Sequence, residues 1–340
     1  MKAKATVVAV IVLGVAVAAF GQIIIETVPV GDPCNPNDTY SDGYGRVDYE
    51  YNIGKYEVTA GQYCDFLNSV AKMDTYGLYN TSMWTNSYGC KIDRNGLSGN
   101  YTYSVATDWA NRPVNYVSWG DAARFANWLN NGQPTGAQDL TTTEDGAYSL
   151  NGATRTAPLL AVSREANWKW AIASEDEWYK AAYYNPAISS YYDYATSSDT
   201  APGYVDNSGN LSNGGSLFAE GGTDPGNYAT QDGDLGVDGI GGPYYRSLVG
   251  EWENSGSPYG TFDQGGNIME WNEGLRYGTC RILRGGSFAD SPKYQRASHR
   301  DYNTPPVEGS AIGFRVVQIP EPATLSLLAL GGLALLRRRR

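Results

Sequence analysis

Residues 265–271 of this 340-residue chain read GGNIMEW, and the paired glycines permit a tight turn that can aim backbone carbonyls at one point. Five further blocks accompany this stretch: GKYEVT at 54–59, RPVNYVSW at 112–119, SEDEW at 174–178, LRGGSF at 283–288 and IGFR at 312–315. One block alone predicts little. Six blocks in a fixed order predict one folded domain over about residues 49–319.

Three helix starts lie in or next to these blocks. In each, a Ser or Thr is followed three residues later by a Gln, Asp or Glu, which is the spacing of a capping box. The pairs are Thr59 with Gln62, Ser118 with Asp121, and Ser174 with Glu177. Apolar residues at helical spacing follow each start, and Gly132 and Pro186 are stop signals for the second and third helices.

The remaining segments predict short strands and long loops. Strands are expected at 49–57, 281–284 and 312–317, whereas 133–156 and 185–243 are rich in Gly, Asn, Thr and Asp. Loops of this length in a compact domain are functional or are held by another group, and calcium is a candidate for an acidic protein outside the cell. The composition therefore predicts a mixed α+β domain with much irregular backbone.

The order and spacing of the six blocks resemble the formylglycine-generating enzyme family, also called the sulfatase-modifying factor family. The resemblance covers about residues 49–318, nearly all of the chain between its two ends. It implies a C-type-lectin-like α+β fold with few short helices and strands.

The resemblance also implies two calcium sites, because the family binds this ion through loop oxygens. One matching set consists of Asp263, the carbonyls of Gly266 and Ile268, and Glu270. The other consists of Asn227, the Tyr228 carbonyl, Asp238 and the Ile240 carbonyl. Calcium takes six to eight hard oxygen ligands, so these residue types are suitable. Turn capping on a solvated surface is the other interpretation of Asp263 and Glu270.

The family's catalytic residues are replaced in this chain. Its enzymes oxidise a substrate cysteine to formylglycine with oxygen and a copper ion held by two cysteines, whose positions match Asp290 and Gln295 here. Ser287 is retained, but soft Cu(I) prefers the missing thiolates. A related branch uses histidine-bound iron, and His299 is the single histidine of the chain, so bound copper or iron is not expected. If the chain is an enzyme, Ser287, Asp290 and His299 are the candidate catalytic residues.

Both ends of the chain indicate export. Residues 1–21 have a basic start, a short apolar run and small residues near Gly21, which is typical of a signal peptide. Residues 320–340 read as Pro-Glu-Pro, an apolar run and four arginines, which resembles the PEP-CTERM sorting signal. That resemblance implies transient anchoring in the inner membrane and cleavage by an exosortase-type protease. An N-terminal membrane anchor and a plain tail anchor are the alternatives.

These ends leave a lead-in at 22–48 and the domain at 49–319. The formal net charge is −11, and both terminal segments are basic, so the body between them is more acidic still. Such a surface repels nucleic acid and attracts cations. Four cysteines allow three complete disulfide pairings, among which the sequence does not choose.

Two functions follow from these observations. The first is a calcium-stabilised module at the cell surface or outside the cell, which binds an extracellular polysaccharide or a peptide. The second is a divergent metal-dependent oxidoreductase of the same family. An aromatic-lined groove beside Ser287 and Asp290 would favour the binding module, whereas converging polar groups would favour the enzyme.

Overall fold

The computed structural model describes residues 22–40, 43–204, 224–232 and 239–320. The predicted signal peptide, the sorting tail after Pro320 and the predicted ligand Asp238 lie outside these residues. Within the described part of the chain, no helix has the length and apolarity needed to cross a membrane. All four cysteines are described, and none forms a disulfide.

The three predicted helices are present, and each begins at its capping box. They are α1 (Ala60–Val70), α3 (Trp119–Asn130) and α5 (Glu175–Tyr183). In each, the side chain of the N-cap residue accepts the amide of the third helical residue, whose own side chain returns the bond. The shorter α2 (Ser82–Thr85) and α4 (Thr156–Ala161) have no side-chain cap.

Twelve short strands form two four-stranded sheets and two hairpins in the described residues. The first sheet has the order β1 (Thr27–Val30), β2 (Tyr51–Gly54), β12 (Val316–Gln318), β5 (Trp170–Ile172). The second has the order β10 (Asp301–Asn303), β9 (Cys280–Arg284), β8 (Met269–Arg276), β11 (Ile312–Phe314). The hairpins are β3 (Ile92–Asn95) with β4 (Thr102–Val105), and β6 (Tyr184–Asn185) with β7 (Ser190–Tyr191). Arg315 therefore stands where the chain passes from the second sheet to the first.

The lead-in is part of the fold, which the sequence did not predict. Strand β1 lies within residues 22–48 and pairs antiparallel with β2, with Thr27 opposite Gly54 and Val30 opposite Tyr51. Residues 27–30 are too few and too weakly patterned to be identified before their partner strand is known.

An aromatic cluster joins α1 and α3 to the sheets. Phe66, Phe125 and Trp128 meet at ring-centroid distances of 5.2–5.7 Å, and Phe314 of β11 packs on Phe125 at 5.3 Å. Phe66 and Phe125 occupy the apolar helix faces that the helical spacing predicted.

Buried side chains hold the loop at 133–156 against α3. Asn127 of α3 donates to the carbonyls of Thr143 and Tyr148 at 2.8 Å each and accepts the Tyr148 amide. Arg124 forms two hydrogen bonds to the buried Glu144 carboxylate, at 2.6 and 3.0 Å. The loop is therefore anchored to α3 by side-chain hydrogen bonds at several points.

Two buried carboxyl groups beside α3 predict that the protein becomes less stable as the pH rises. Burial raises the pKa of Asp121 to about 6 and that of Glu308 to about 7, and each of the two also feels a nearby carboxylate. A raised acid pKa means that the folded state binds more protons, so this contribution to stability is lost as the pH rises from about 4 to 7. We expect Glu308→Gln to flatten the fall in melting temperature between pH 5 and 8.

The exposed Glu50→Gln is the matched control for that variant. If the melting temperatures of the wild type and of Glu308→Gln depend on pH in the same way, the raised pKa of Glu308 is contradicted.

Candidate functional site

A buried ion pair lies at the centre of the predicted calcium region. Arg315 donates to both carboxylate oxygens of Glu270 at 2.6 Å, and both side chains are fully buried. The indole of Trp178 adds a third hydrogen bond to Glu270 at 2.7 Å. Glu270, a predicted ligand, therefore already has three donors.

Two further carboxylates face this ion pair. Asp263, at φ +60°, accepts the Gly250 amide at 2.6 Å. Burial raises its pKa to about 7, and Glu270 adds to the effect. Glu57 is 2% exposed, and neither of its carboxylate oxygens has a hydrogen-bond partner. Burial, followed by the charge of Asp263, raises the pKa of Glu57 well above its ordinary value. Three carboxylates thus share the single guanidinium of Arg315.

This surplus of buried negative charge suits a hard cation. Orphaned carboxylate oxygens without a donor are costly, and a calcium ion would compensate them. Among the described residues, no group of three or more His, Cys, Asp or Glu side chains is arranged to hold a metal. An ion here would therefore need backbone carbonyls, such as those predicted at Gly266 and Ile268.

The turn at Gly266 requires glycine. Its φ is +81°, and an added Cβ would lie 2.4 Å from the Thr230 carbonyl oxygen. The GGNIMEW stretch therefore owes its conformation to close contact with a distant loop as well as to its own flexibility.

The described residues of the other predicted calcium set each contact a different part of the protein. The Asn227 amide oxygen accepts the Thr196 hydroxyl at 2.7 Å, and the Tyr228 ring stacks on Trp252 at 5.4 Å. Ile240 lines a cavity together with Tyr88 and Phe288, and Asp238 is outside the described residues. This second set stays a prediction.

The structure brings two of the three candidate catalytic residues together. The Ser287 hydroxyl donates to Asp290 at 2.6 Å, and Ser287 is fully buried. His299 packs edge-on against Tyr294 at 4.8 Å, and its buried Nε2 has no hydrogen-bond partner. Burial lowers the His299 pKa. The Ser287 hydroxyl therefore has a carboxylate partner and no imidazole partner.

The residue at the second cysteine position has its own partner as well. The side-chain amide of Gln295 donates to Gln231 at 2.7 Å, and the backbone carbonyl of Gln295 accepts the Tyr183 hydroxyl at 3.0 Å. Amide and carboxylate oxygens at these two positions do not provide the soft ligands that copper prefers.

An aromatic cavity of about 250 Å³ adjoins the Ser287–Asp290 pair. Tyr88 lies 4.5 Å from Tyr245 and 5.8 Å from Phe288, measured between ring centroids, and the three rings form its walls. Asp232 and Ser310 supply polar groups at its lining. No sequence pattern placed Tyr88 here, because it is separated from Phe288 by 200 positions.

Comparisons with known proteins agree with the six blocks. The model of the sulfatase-modifying factor enzyme 1-like domain matches residues 45–319, and that of the PEP-CTERM protein-sorting motif matches residues 318–340. No protein with a curated description matches the chain significantly.

The chain is also similar to solved structures. CarF is 19% identical with a TM-score of 0.51, over 88% of this chain and 99% of CarF. Treponema denticola variable protein 1 is 21% identical with a TM-score of 0.48, over 86% and 95% of the two chains. PvdO from Pseudomonas aeruginosa is 17% identical with a TM-score of 0.43, over 86% and 92%.

The predicted C-type-lectin-like α+β fold is thereby confirmed. The chain belongs to the sulfatase-modifying factor enzyme 1-like family and carries a PEP-CTERM sorting motif at its C-terminal end.

Proposed function

We propose that this protein is an exported, surface-sorted binding module, stabilised by calcium, whose aromatic cavity takes the ligand. The observation that carries the proposal is the wall of the cavity beside Ser287. Its large side chains are the aromatic rings of Tyr88, Tyr245 and Phe288, and the lining includes neither Ser287 nor His299.

The reactive groups beside the cavity support binding over catalysis. The Ser287 hydroxyl is bound to Asp290, and this pair lacks the imidazole that activates a serine nucleophile. Asp290 and Gln295 replace the copper-binding thiolates that the family resemblance implies. The oxidoreductase alternative would therefore need a metal held by hard ligands only.

The cavity fits a single unit of a polymer. Drug-sized sites span about 300–1,000 Å³, so a cavity of about 250 Å³ suits one sugar ring or one side chain. Tyrosine offers an apolar face with a polar tip, and Asp232 adds an acceptor. We infer that the ligand is an extracellular polysaccharide, with a peptide as the alternative.

The C-terminal motif accounts for the location of this module. It implies processing by an exosortase-type protease around Pro320 after transient anchoring of the tail in the inner membrane. The arginines at 337–340 would stay on the cytoplasmic side and leave the acidic body outside.

We expect Tyr245→Ala to weaken ligand binding on a glycan and peptide array by about 2- to 10-fold. The reason is the loss of one stacking face, worth about 0.5–1.5 kcal/mol. Tyr277→Ala is the matched control, because Tyr277 is 72% exposed and lies on the β8–β9 turn, away from the cavity. If both variants lose binding equally, or if neither loses binding, the cavity is not the binding site.

We expect calcium to raise the melting temperature of the mature body relative to a sample in EGTA. Saturation at 100 times the dissociation constant corresponds to about 2.7 kcal/mol. Elemental mass spectrometry of the same sample measures the bound metal. Unchanged melting would remove calcium from the proposal, and retained copper or iron would favour the oxidoreductase.

A further inference from the structure

Arg315 holds two chain segments against each other. Its guanidinium donates to the carbonyl of Gly54 and to that of Phe262, both at 2.9 Å. The Phe262 amide in turn donates to the Lys55 carbonyl at 2.9 Å. The residues that follow these contacts, Glu57 and Asp263, are thereby placed in the same buried region.

Glu57 differs from every other carboxylate around Arg315. Glu270 accepts three hydrogen bonds, and Asp263 accepts one from Gly250. Glu57 is nearly as buried as Glu270, whereas Asp263 is half-buried, and Glu57 has no donor on either oxygen. A carboxylate has about four acceptor positions, so all of those on Glu57 remain available, whereas Glu270 has few left.

Two of the nearby cations are already engaged, and a third, the buried guanidinium of Arg246, donates only to backbone carbonyls and forms no hydrogen bond to Glu57. Arg315 is paired with Glu270, and the Lys55 ammonium is bound to Glu26 at 2.8 Å. A buried carboxylate without hydrogen bonds is compensated by a proton or by a cation. Because Asp263 lies close to Glu57, a divalent ion would neutralise both carboxylates at once.

We propose that Glu57 is a calcium ligand, that it acts together with Asp263, and that Glu270 serves mainly to hold Arg315. This inference rests on the calcium part of the proposed function and adds a ligand outside the set implied by the family resemblance. Hard oxygens only, with no histidine or cysteine, favour calcium over transition metals.

A cleft provides a route for the ion. It measures about 450 Å³ and is lined by residues that include Glu57, Glu26 and Val249. Val249 precedes Gly250, whose amide binds Asp263. Glu57 therefore lies at the wall of this cleft, and Val249 of the same wall is next in sequence to the amide that binds Asp263.

The test measures calcium affinity by calorimetry, and melting temperature with calcium and with EGTA, on the mature chain. We expect Glu57→Gln to weaken calcium binding by at least about tenfold, as is usual when a metal-site partner is removed. In EGTA, the same variant should melt higher than the wild type, because Glu57 must either be buried as a charge or take up a proton when the protein folds without calcium, and glutamine needs neither. A purely structural role of Glu57 would not produce this opposite pair of effects.

Two further variants make the result specific. Glu270→Gln should lower the melting temperature to the same degree with and without calcium, and Glu26→Gln, at the mouth of the cleft, should leave the affinity unchanged. If Glu57→Gln does not fold, Glu57→Asp keeps the charge and should retain weakened binding.

The outcomes separate this inference from the broader proposal. Wild-type affinity in Glu57→Gln would overturn the role of Glu57 while leaving calcium binding intact. No calcium binding by the wild type would overturn both, although the aromatic cavity would still be tested by Tyr245→Ala.

Discussion

Arg315→Met is expected to lower the free energy of unfolding by about 3–5 kcal/mol, because it leaves the buried Glu270 carboxylate without its cation. Both side chains are fully buried, so water does not replace the lost hydrogen bonds. Glu57 and Asp263 face the same guanidinium, and its removal leaves three carboxylates without a positive charge. Urea unfolding monitored by tryptophan fluorescence measures the change.

Arg296→Met is the matched control for this substitution. Arg296 pairs with Asp193 at 2.8 Å, but its side chain is 46% exposed. Exposed pairs contribute about 0–1 kcal/mol, so the control should unfold close to the wild type. The double variant Arg315→Met with Glu270→Met should recover part of the loss. A loss below about 1 kcal/mol for Arg315→Met alone would contradict the role of this pair.

Glu144→Gln is expected to destabilise the protein by a similar amount, about 3–5 kcal/mol, since it leaves the Arg124 guanidinium buried without an anion. The exposed fractions of the Arg124 and Glu144 side chains are 1% and 3%. Glu144 also accepts the Gly152 amide at 2.7 Å, which ties down the loop at 133–156. The variant should therefore be cleaved in this loop during limited proteolysis under conditions in which the wild type resists.

Asp48→Asn provides the comparison for Glu144→Gln. Asp48 pairs with Arg46 at 2.9 Å, but the two side chains are 64% and 47% exposed. Its stability and cleavage pattern should match those of the wild type. If Glu144→Gln behaves like this control, the loop is held by other contacts, and the Asn127 hydrogen bonds would be the next to test.

The parts of the fold that were predicted correctly depend on local chemistry. Thr59, Ser118 and Ser174 begin helices because each satisfies amides only three residues away, and this requires no tertiary contact. Strand β1 was missed because four residues gain strand structure only by pairing with β2.

The candidate site was predictable in part. The resemblance indicated Asp263 and Glu270, and it indicated Ser287 and Asp290, which the structure places in hydrogen-bond contact. The state of Glu57 was not predictable, since an orphaned carboxylate is recognised only from what surrounds it.

By itself, the sequence determined the helix starts, the order of the six blocks and hence the family, and the sorting motif at the C-terminal end. Only the tertiary structure decided that Glu270 is bound by Arg315, 45 residues later, and that Tyr88 and Phe288 wall one cavity. The physical reason is the distance along the chain over which each effect acts. Helix capping and hydrophobic periodicity involve residues only a few positions apart. Charge compensation and cavity shape depend on groups that only the folded chain brings together.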